Sequence, residues 1–165
     1  WAQNPRVWRA LMETRRPFAV IWGTRLRSAG RFESMPAWDR NVPAFSHCSL
    51  DDNPGSGHLL DGDFAGQING YLWWDHKTGV DKPERWGLRV FLVEECSAAS
   101  CTVDVTPRRL KAFQPKPGET FVWSNLDATG KTVASGEVIA DEHGLVTLKQ
   151  ITVTTAGNTL EIRRK

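Results

Sequence analysis

Cysteine, methionine and tyrosine are scarce in this sequence: its 165 residues include three Cys, two Met and one Tyr. It also has no apolar run of about 18 residues, the length that a membrane-spanning helix needs. The charge excess is small, because 21 Lys and Arg against 19 Asp and Glu leave +2 at pH 7. A protein that binds nucleic acid through a basic field needs a larger excess. We therefore expect no membrane and no nucleic acid among its partners.

Short apolar stretches separated by glycine and proline dominate the chain after residue 54. Several alternate apolar with polar residues, the period of a strand, and turn residues lie at 127–130, 141–144 and 156–158. This pattern predicts an all-β fold, an antiparallel β-sandwich of the fibronectin III or immunoglobulin-like class. Strands are predicted at residues 68–75, 86–94, 101–105, 110–114, 119–125, 133–139, 145–153 and 159–163. A phase shift between Leu148 and Ile151 predicts a bulge at Lys149 and Gln150.

The first 45 residues have a different pattern. Asn4 is a suitable N-cap, Pro5 fits the first helical position, and apolar residues follow at helical spacing, so a short N-terminal helix is predicted over 4–15. The apolar stretch 18–22 predicts a strand, and polar, irregular sequence follows. We therefore divide the chain into an N-terminal helix, strand and linker segment (1–45) and a β-sandwich module (46–165).

Eight tryptophans are the most unusual feature of the composition. In the predicted strand 68–75, Leu72 and Trp74 share a face with Ile68, so Tyr71 and Trp73 are expected to face outward together. Two such rings form a flat surface on which sugar rings stack. Candidate carbohydrate-binding residues are Tyr71, Trp73, Asn69, Asp75 and the loop residue Trp38. The alternative is that Tyr71 and Trp73 pack under the N-terminal segment or a partner domain.

Residues 49–67 form a loop rich in aspartate and glycine. Ca²⁺ takes about six to eight oxygen ligands in flexible geometry, which such a loop can supply. Candidate ligands of a structural Ca²⁺ are Asp51, Asp52, Asn53, Asp61 and Asp63. The bidentate Glu that ends a typical calcium loop is absent, and a set of Asx turns in a surface loop is the alternative.

Cysteine spacing and catalytic patterns are less informative. Cys96 and Cys101 flank four residues, a spacing that a disulfide across a hairpin loop could bridge, and such a bond would indicate an extracytoplasmic protein. Carboxylate pairs and four His are present, but no motif arranges them for glycoside or ester hydrolysis. Intrinsic catalysis is therefore not expected.

Three stretches resemble a C-terminal β-sandwich module of secreted bacterial hydrolases: CTVDVTPRRLKAF (101–113), KPGETFVW (116–123) and GEVIADEHGLVTL (136–148). The loop and the following GQINGYLWWD (66–75) belong to the same resemblance, which covers residues 45–164. Residues 5–23 resemble the last helix and strand of an α/β-hydrolase, without its G-x-S-x-G motif. The resemblance implies an extracellular or periplasmic module linked to a catalytic domain.

Together these features predict a non-catalytic carbohydrate-binding module. It would keep a linked extracellular hydrolase near a polysaccharide or oligosaccharide and so raise the effective concentration of substrate. One alternative is a structural C-terminal module of a secreted α/β-hydrolase or esterase, which binds no sugar itself. A degenerate or partial esterase is the other.

Overall fold

The computed structural model describes residues 42–51, 69, 71–94 and 96–165. The predicted helix and strand of the N-terminal segment lie outside these residues. The described part contains no helix, and so no helix that could cross a membrane. Its strands are β1 (Val42–Ser46), β2 (Leu72–Lys82), β3 (Arg85–Leu92), β4 (Ser100–Arg108), β5 (Thr120–Leu126), β6 (Thr132–Ile139), β7 (Leu148–Thr154) and β8 (Asn158–Arg164).

The strands form two antiparallel sheets, which confirms the all-β prediction. One sheet has three strands in the order β1-β4-β7, and the other has five in the order β2-β3-β8-β5-β6. The turn at 127–130 joins the paired strands β5 and β6, whereas those at 141–144 and 156–158 join strands of different sheets. Because β1 pairs with β4, the three-stranded sheet begins at Val42, before the boundary drawn from the sequence.

The inner faces of both sheets contribute to one hydrophobic core. The alternation seen in the sequence is confirmed on the strands at its centre, since each alternating apolar side chain there is buried. At about 25 cal/mol per Å² of apolar surface, each such side chain contributes roughly 1.5–3 kcal/mol. These residues are Trp86, Leu88, Val90 and Leu92 of β3, Val103 and Val105 of β4, and Leu160 and Ile162 of β8.

One observed strand was not predicted, and one predicted strand is not formed. Strand β1 was missed because Pro43 cannot donate a ladder hydrogen bond, but β1 is an edge strand, where proline is tolerated. The strand predicted at 110–114 is wrong, since this stretch belongs to the β4–β5 connection. Its backbone N–H groups bond to one carboxylate instead: Asp81 accepts from Lys111, Ala112 and Phe113 at 2.8, 3.2 and 2.7 Å.

The predicted bulge in β7 is confirmed. Val103 pairs with Ile151 and Val105 pairs with Leu148, so two residues of β7 lie opposite Asp104 alone. Gln150 has a φ of 51°, the left-handed conformation common at bulges. The extra residue turns both Leu148 and Ile151 into the core, where each is almost fully buried.

A buried amide pair connects the two sheets. Asn158 Nδ2 donates to Asn125 Oδ1 at 3.0 Å, and Asn125 Nδ2 donates to the carbonyl of Thr152 in the other sheet at 2.9 Å. Asn158 Oδ1 accepts from the N–H of Thr154 at 2.9 Å and from its hydroxyl at 3.1 Å. These bonds satisfy polar groups that would be costly to bury alone.

We expect Asn125→Ala to lower the free energy of unfolding by about 2–3 kcal/mol, because it leaves Asn158 and the Thr152 carbonyl without their partner. Urea unfolding measures this loss. Thr132→Ala, at an exposed position of β6, is the control and should change stability by less than about 0.5 kcal/mol. Equal stability of the two variants would contradict the structural role of the amide pair.

Candidate functional site

Strand β2 carries tryptophan on both of its faces. In the register with β3, Trp74 lies opposite the core residue Val90, and Trp73 lies opposite Phe91. The Trp74 ring also lies 6.3 Å from the ring of Phe45 in the other sheet, measured between centroids. Trp74 therefore faces the core, whereas the register places Trp73 on the side of β2 that carries Phe91 of β3.

The expectation that Trp73 is exposed is wrong. Its exposed fraction is 5%, close to the 7% of Trp74. The two indole rings stack with centroids 4.9 Å apart and planes 26° apart. Alternation assigns a side chain to a face of a sheet but does not determine whether that face meets water. In this structure Trp73 offers no flat surface to a sugar ring.

The neighbouring candidates Tyr71 and Asp75 are half-buried. The Tyr71 carbonyl accepts the N–H of Val93 at 2.8 Å, and Asp75 Oδ1 accepts the N–H of Lys77 at 2.9 Å. Both residues therefore take part in holding the backbone of the β2–β3 region. The remaining aromatic candidate, Trp38, lies outside the described residues.

Cationic and polar groups surround Phe91 on the outer face. The Arg89 guanidinium lies 5.1 Å from the centroid of the Phe91 ring, and its Nη2 donates to the carbonyl of Ala156 at 2.8 Å. A cleft of about 460 Å³ opens beside this arginine. The residues that line it are polar or aliphatic, and they include Arg89, Leu126, Asp127, Thr129, Thr159 and Glu161. It therefore supplies hydrogen-bonding groups but no aromatic surface.

The two ends of the aspartate-rich loop are joined at its base. Asp51 Oδ1 accepts the N–H of Asn69 at 2.6 Å, and Asn69 Nδ2 donates to the carbonyl of Phe45 at 3.0 Å. Asn69 Oδ1 is buried and has no hydrogen-bond partner among the residues that the structure describes. An amide oxygen of this kind is a suitable ligand for Ca²⁺.

Of the predicted calcium ligands, only Asp51 belongs to the described residues; Asp52, Asn53, Asp61 and Asp63 lie outside them. Among the residues that the structure does describe, no group of three or more His, Cys, Asp or Glu is arranged to hold a metal ion. The donor types at the base of the loop fit Ca²⁺, so the calcium site remains a prediction to be tested.

If the loop binds Ca²⁺, removal of the ion should lower the melting temperature by about 5–10 °C, since a ligand at 100 times its Kd stabilises by about 2.7 kcal/mol. Differential scanning calorimetry with excess EDTA and with millimolar CaCl₂ measures the shift. Asp51→Asn keeps the oxygen that accepts from Asn69 and should abolish most of the shift in melting temperature. The turn variant Asp141→Asn should leave the shift unchanged. A wild-type melting temperature that changes neither with EDTA nor with CaCl₂ would exclude the calcium site.

Asp104 is a buried carboxylate that the sequence analysis did not identify. It lies opposite the bulge and accepts from the N–H and the side-chain amide of Gln150 at 2.8 and 3.1 Å, and from His47 Nδ1 at 3.0 Å. Burial disfavours its charge, but the Gln150 and His47 hydrogen bonds outweigh this, so the pKa of Asp104 is lowered. Its position in the sequence was a signal that could have identified it: a polar residue between the core residues Val103 and Val105, opposite a predicted bulge.

The His47–Asp104 pair alone does not form a catalytic group. A histidine that acts as a base in acyl transfer needs a nucleophilic hydroxyl or thiol within hydrogen-bond reach. In the described part of the chain, the hydrogen bond of the His47 ring is to Asp104. The carboxylate therefore serves to hold the bulge of β7 and the end of β1.

Because the folded-state pKa of Asp104 is lowered, its charge stabilises the fold above the ordinary carboxyl pKa of about 3.9 and this contribution is lost as the pH falls below it. We expect Asp104→Asn to reduce stability by about 1 kcal/mol at pH 7 and by much less near pH 2.5. Urea unfolding at the two pH values measures the difference. Glu142→Gln, at an exposed position, is the control, and a pH-independent effect of Asp104→Asn would contradict the assignment.

Comparison of the chain with protein-family models, with curated proteins and with solved structures finds no match. The function is therefore inferred from the geometry of the described residues and from the sequence resemblance. Within that geometry, the decisive feature is the burial of Trp73 near the start of β2.

Proposed function

We propose that this chain is a structural, non-catalytic β-sandwich module of the fibronectin III or immunoglobulin-like class, which accompanies a secreted α/β-hydrolase or esterase. In this proposal the aromatic face of β2 packs and does not bind sugar. The observation that carries it is the burial of Trp73, at 5% exposure, opposite Phe91 in the five-stranded sheet. The sequence resemblance supports the linked hydrolase and the extracellular or periplasmic location.

The energy of the buried ring decides between packing and sugar binding. A buried tryptophan removes roughly 200 Å² from water, which at about 25 cal/mol per Å² amounts to ~5 kcal/mol. A ligand with a Kd of 1 mM gains only about 4.1 kcal/mol on binding. Exposing the Trp73 ring to a sugar would therefore cost about as much free energy as a weak glycan contact provides.

The other described groups support a non-catalytic role. Asp104 and His47 are engaged in the bulge, and the cleft beside Arg89 has no aromatic lining among the described residues. A structural module needs neither a catalytic pair nor an aromatic cleft, because its contribution is the apolar area that it buries against a partner.

Polysaccharide binding is the second candidate, and one observation favours it. Tyr71 and Phe91 are half-buried rather than buried. Tyr71 lies two residues before Trp73 in the chain, and Phe91 is the cross-strand partner of Trp73. A glycan that used their exposed edges, with Asn69 and Asp75 as hydrogen-bonding groups, would not require Trp73 to move. In that case the module would target a linked enzyme to its substrate.

Variants of Trp73 and Tyr71 distinguish the two candidates. We expect Trp73→Ala to lower the free energy of unfolding by about 3–5 kcal/mol, because it removes a buried ring, and Tyr71→Ala to cost less. Trp73→Phe, which preserves part of the ring, provides a folded variant if Trp73→Ala unfolds. Urea unfolding measures stability, and affinity electrophoresis over a panel of polysaccharides measures binding.

The structural proposal predicts that no polysaccharide retards the wild-type chain. A retardation that Tyr71→Ala abolishes, in a variant that remains folded, would contradict it and establish the carbohydrate-binding function. If a variant loses its retardation only because it unfolds, the loss is non-specific and assigns no role in binding to Tyr71.

A further inference from the structure

Cys48 and Cys101 lie side by side at one end of the three-stranded sheet. Cys48 is two residues beyond the end of β1, and Cys101 is the second residue of β4. Two hydrogen bonds join the neighbouring backbone: the N–H of Ser49 donates to the carbonyl of Thr102 at 2.9 Å, and the N–H of Thr102 donates to Ser49 Oγ at 3.0 Å. The chain after β1 is therefore held against the start of β4.

The two buried thiols are brought close together by this pairing. Cys101 has an exposed fraction of 4% and Cys48 one of 8%, and each thiol shifts the pKa of the other. The third cysteine, Cys96, is also buried and lies five residues before Cys101 in the chain. All three cysteines are free thiols in the structure.

We propose that Cys48 and Cys101 form a disulfide when the protein meets an oxidising environment, and that this bond fixes the end of β1 to β4. This pairing differs from the Cys96–Cys101 pairing that the sequence spacing suggested. It leaves Cys96 as the free thiol.

The position of the bond in the chain makes it effective. It would close a loop of 101 − 48 = 53 residues, which contains the aspartate-rich loop and the β2–β3 hairpin, whereas a bond between Cys96 and Cys101 would span only 101 − 96 = 5. A longer closed loop removes more conformational freedom from the unfolded chain. The Cys48–Cys101 bond therefore stabilises the fold more than the short one would.

The oxidation can be written with a small-molecule disulfide such as oxidised glutathione as the electron acceptor. The Cys48 thiolate attacks one sulfur of the acceptor, forms a mixed disulfide and releases one glutathione thiolate. The Cys101 thiolate then attacks Cys48 Sγ and releases the second. The two protein thiols lose two electrons and two protons, and the acceptor becomes two glutathione thiols.

The electrostatics of the pair agree with this order of events. The hydrogen bond from Cys101 outweighs burial and lowers the pKa of the Cys48 thiol, whereas the same bond, together with burial, raises the pKa of Cys101. Cys48 is therefore the group that supplies the first thiolate. Because both thiols are buried, reaction with an outside disulfide requires local opening or takes place during folding.

Tryptic peptide mapping of the 165-residue chain tests the pairing. The chain is refolded in a glutathione redox buffer, its free thiols are alkylated, and it is digested without reduction. Cleavage after Arg40, Lys77, Arg89 and Arg108 leaves Cys48 in peptide 41–77 and both other cysteines in peptide 90–108. The proposal predicts that these two peptides are linked, with the alkyl group on Cys96. Fragmentation by tandem mass spectrometry assigns the linked cysteine.

Three variants give an independent readout. In the wild type and in Cys96→Ala, oxidation should raise the melting temperature by about 10 °C, and a reductant should reverse the shift. In Cys48→Ala and Cys101→Ala the shift should be absent. A disulfide within peptide 90–108 would overturn the proposal, and so would complete alkylation of all three thiols after refolding under oxidising conditions.

Discussion

The packing at the start of β2, where neither face of the strand is open to water, constrains the rest of this structure. Leu72, Trp73 and Trp74 are consecutive, and all three are buried. A strand at the edge of a sandwich normally has one face exposed to water. Burial of consecutive residues is typical of strands that are covered on both faces. The side of β2 that carries Trp73 therefore behaves as a packing surface. This burial favours a structural module over an aromatic sugar-binding platform.

The three-stranded sheet is organised by polar groups as much as by its core. The bulge of β7 places Gln150 against the Asp104 carboxylate, and the other carboxylate oxygen accepts from His47. His47 precedes Cys48 in the chain, so the same carboxylate helps to position the thiol that lies against Cys101. The bulge, the carboxylate and the thiol pair thus form one connected unit at the end of β1. Such a unit explains how an edge strand of five residues, with a proline in it, is retained in the sheet.

Local periodicity predicted most of the strands, because alternating burial leaves a direct mark on the sequence. The bulge at Lys149 and Gln150 was predictable for the same reason, since the apolar phase changes there. Strand β1 was not, because Pro43 obscured it and only its pairing with β4 stabilises it. The stretch 110–114 was mistaken for a strand, because nothing local to it shows that its backbone bonds to Asp81, which lies 30 residues earlier at the nearest contact.

The candidate site was harder to predict than the fold. Alternation separated Trp73 from the core-facing Trp74, but exposure depends on what covers a side chain, and periodicity does not contain this information. The contact between Cys48 and Cys101 was also hidden, since it depends on the pairing of β1 with β4 and not on the spacing of cysteines. Both cases involve residues that are distant in sequence, where local patterns have no predictive value.

The exposure of Trp73 in solution is the most direct test of this account. Hydroxyl-radical footprinting of the folded chain, with oxidation located by tandem mass spectrometry, compares Trp73 with the buried Trp86 and the half-buried Trp123. We expect Trp73 to be protected to the same degree as Trp86 and to become reactive only on unfolding. Oxidation of Trp73 in the folded chain as fast as that of Trp123 or faster would contradict it.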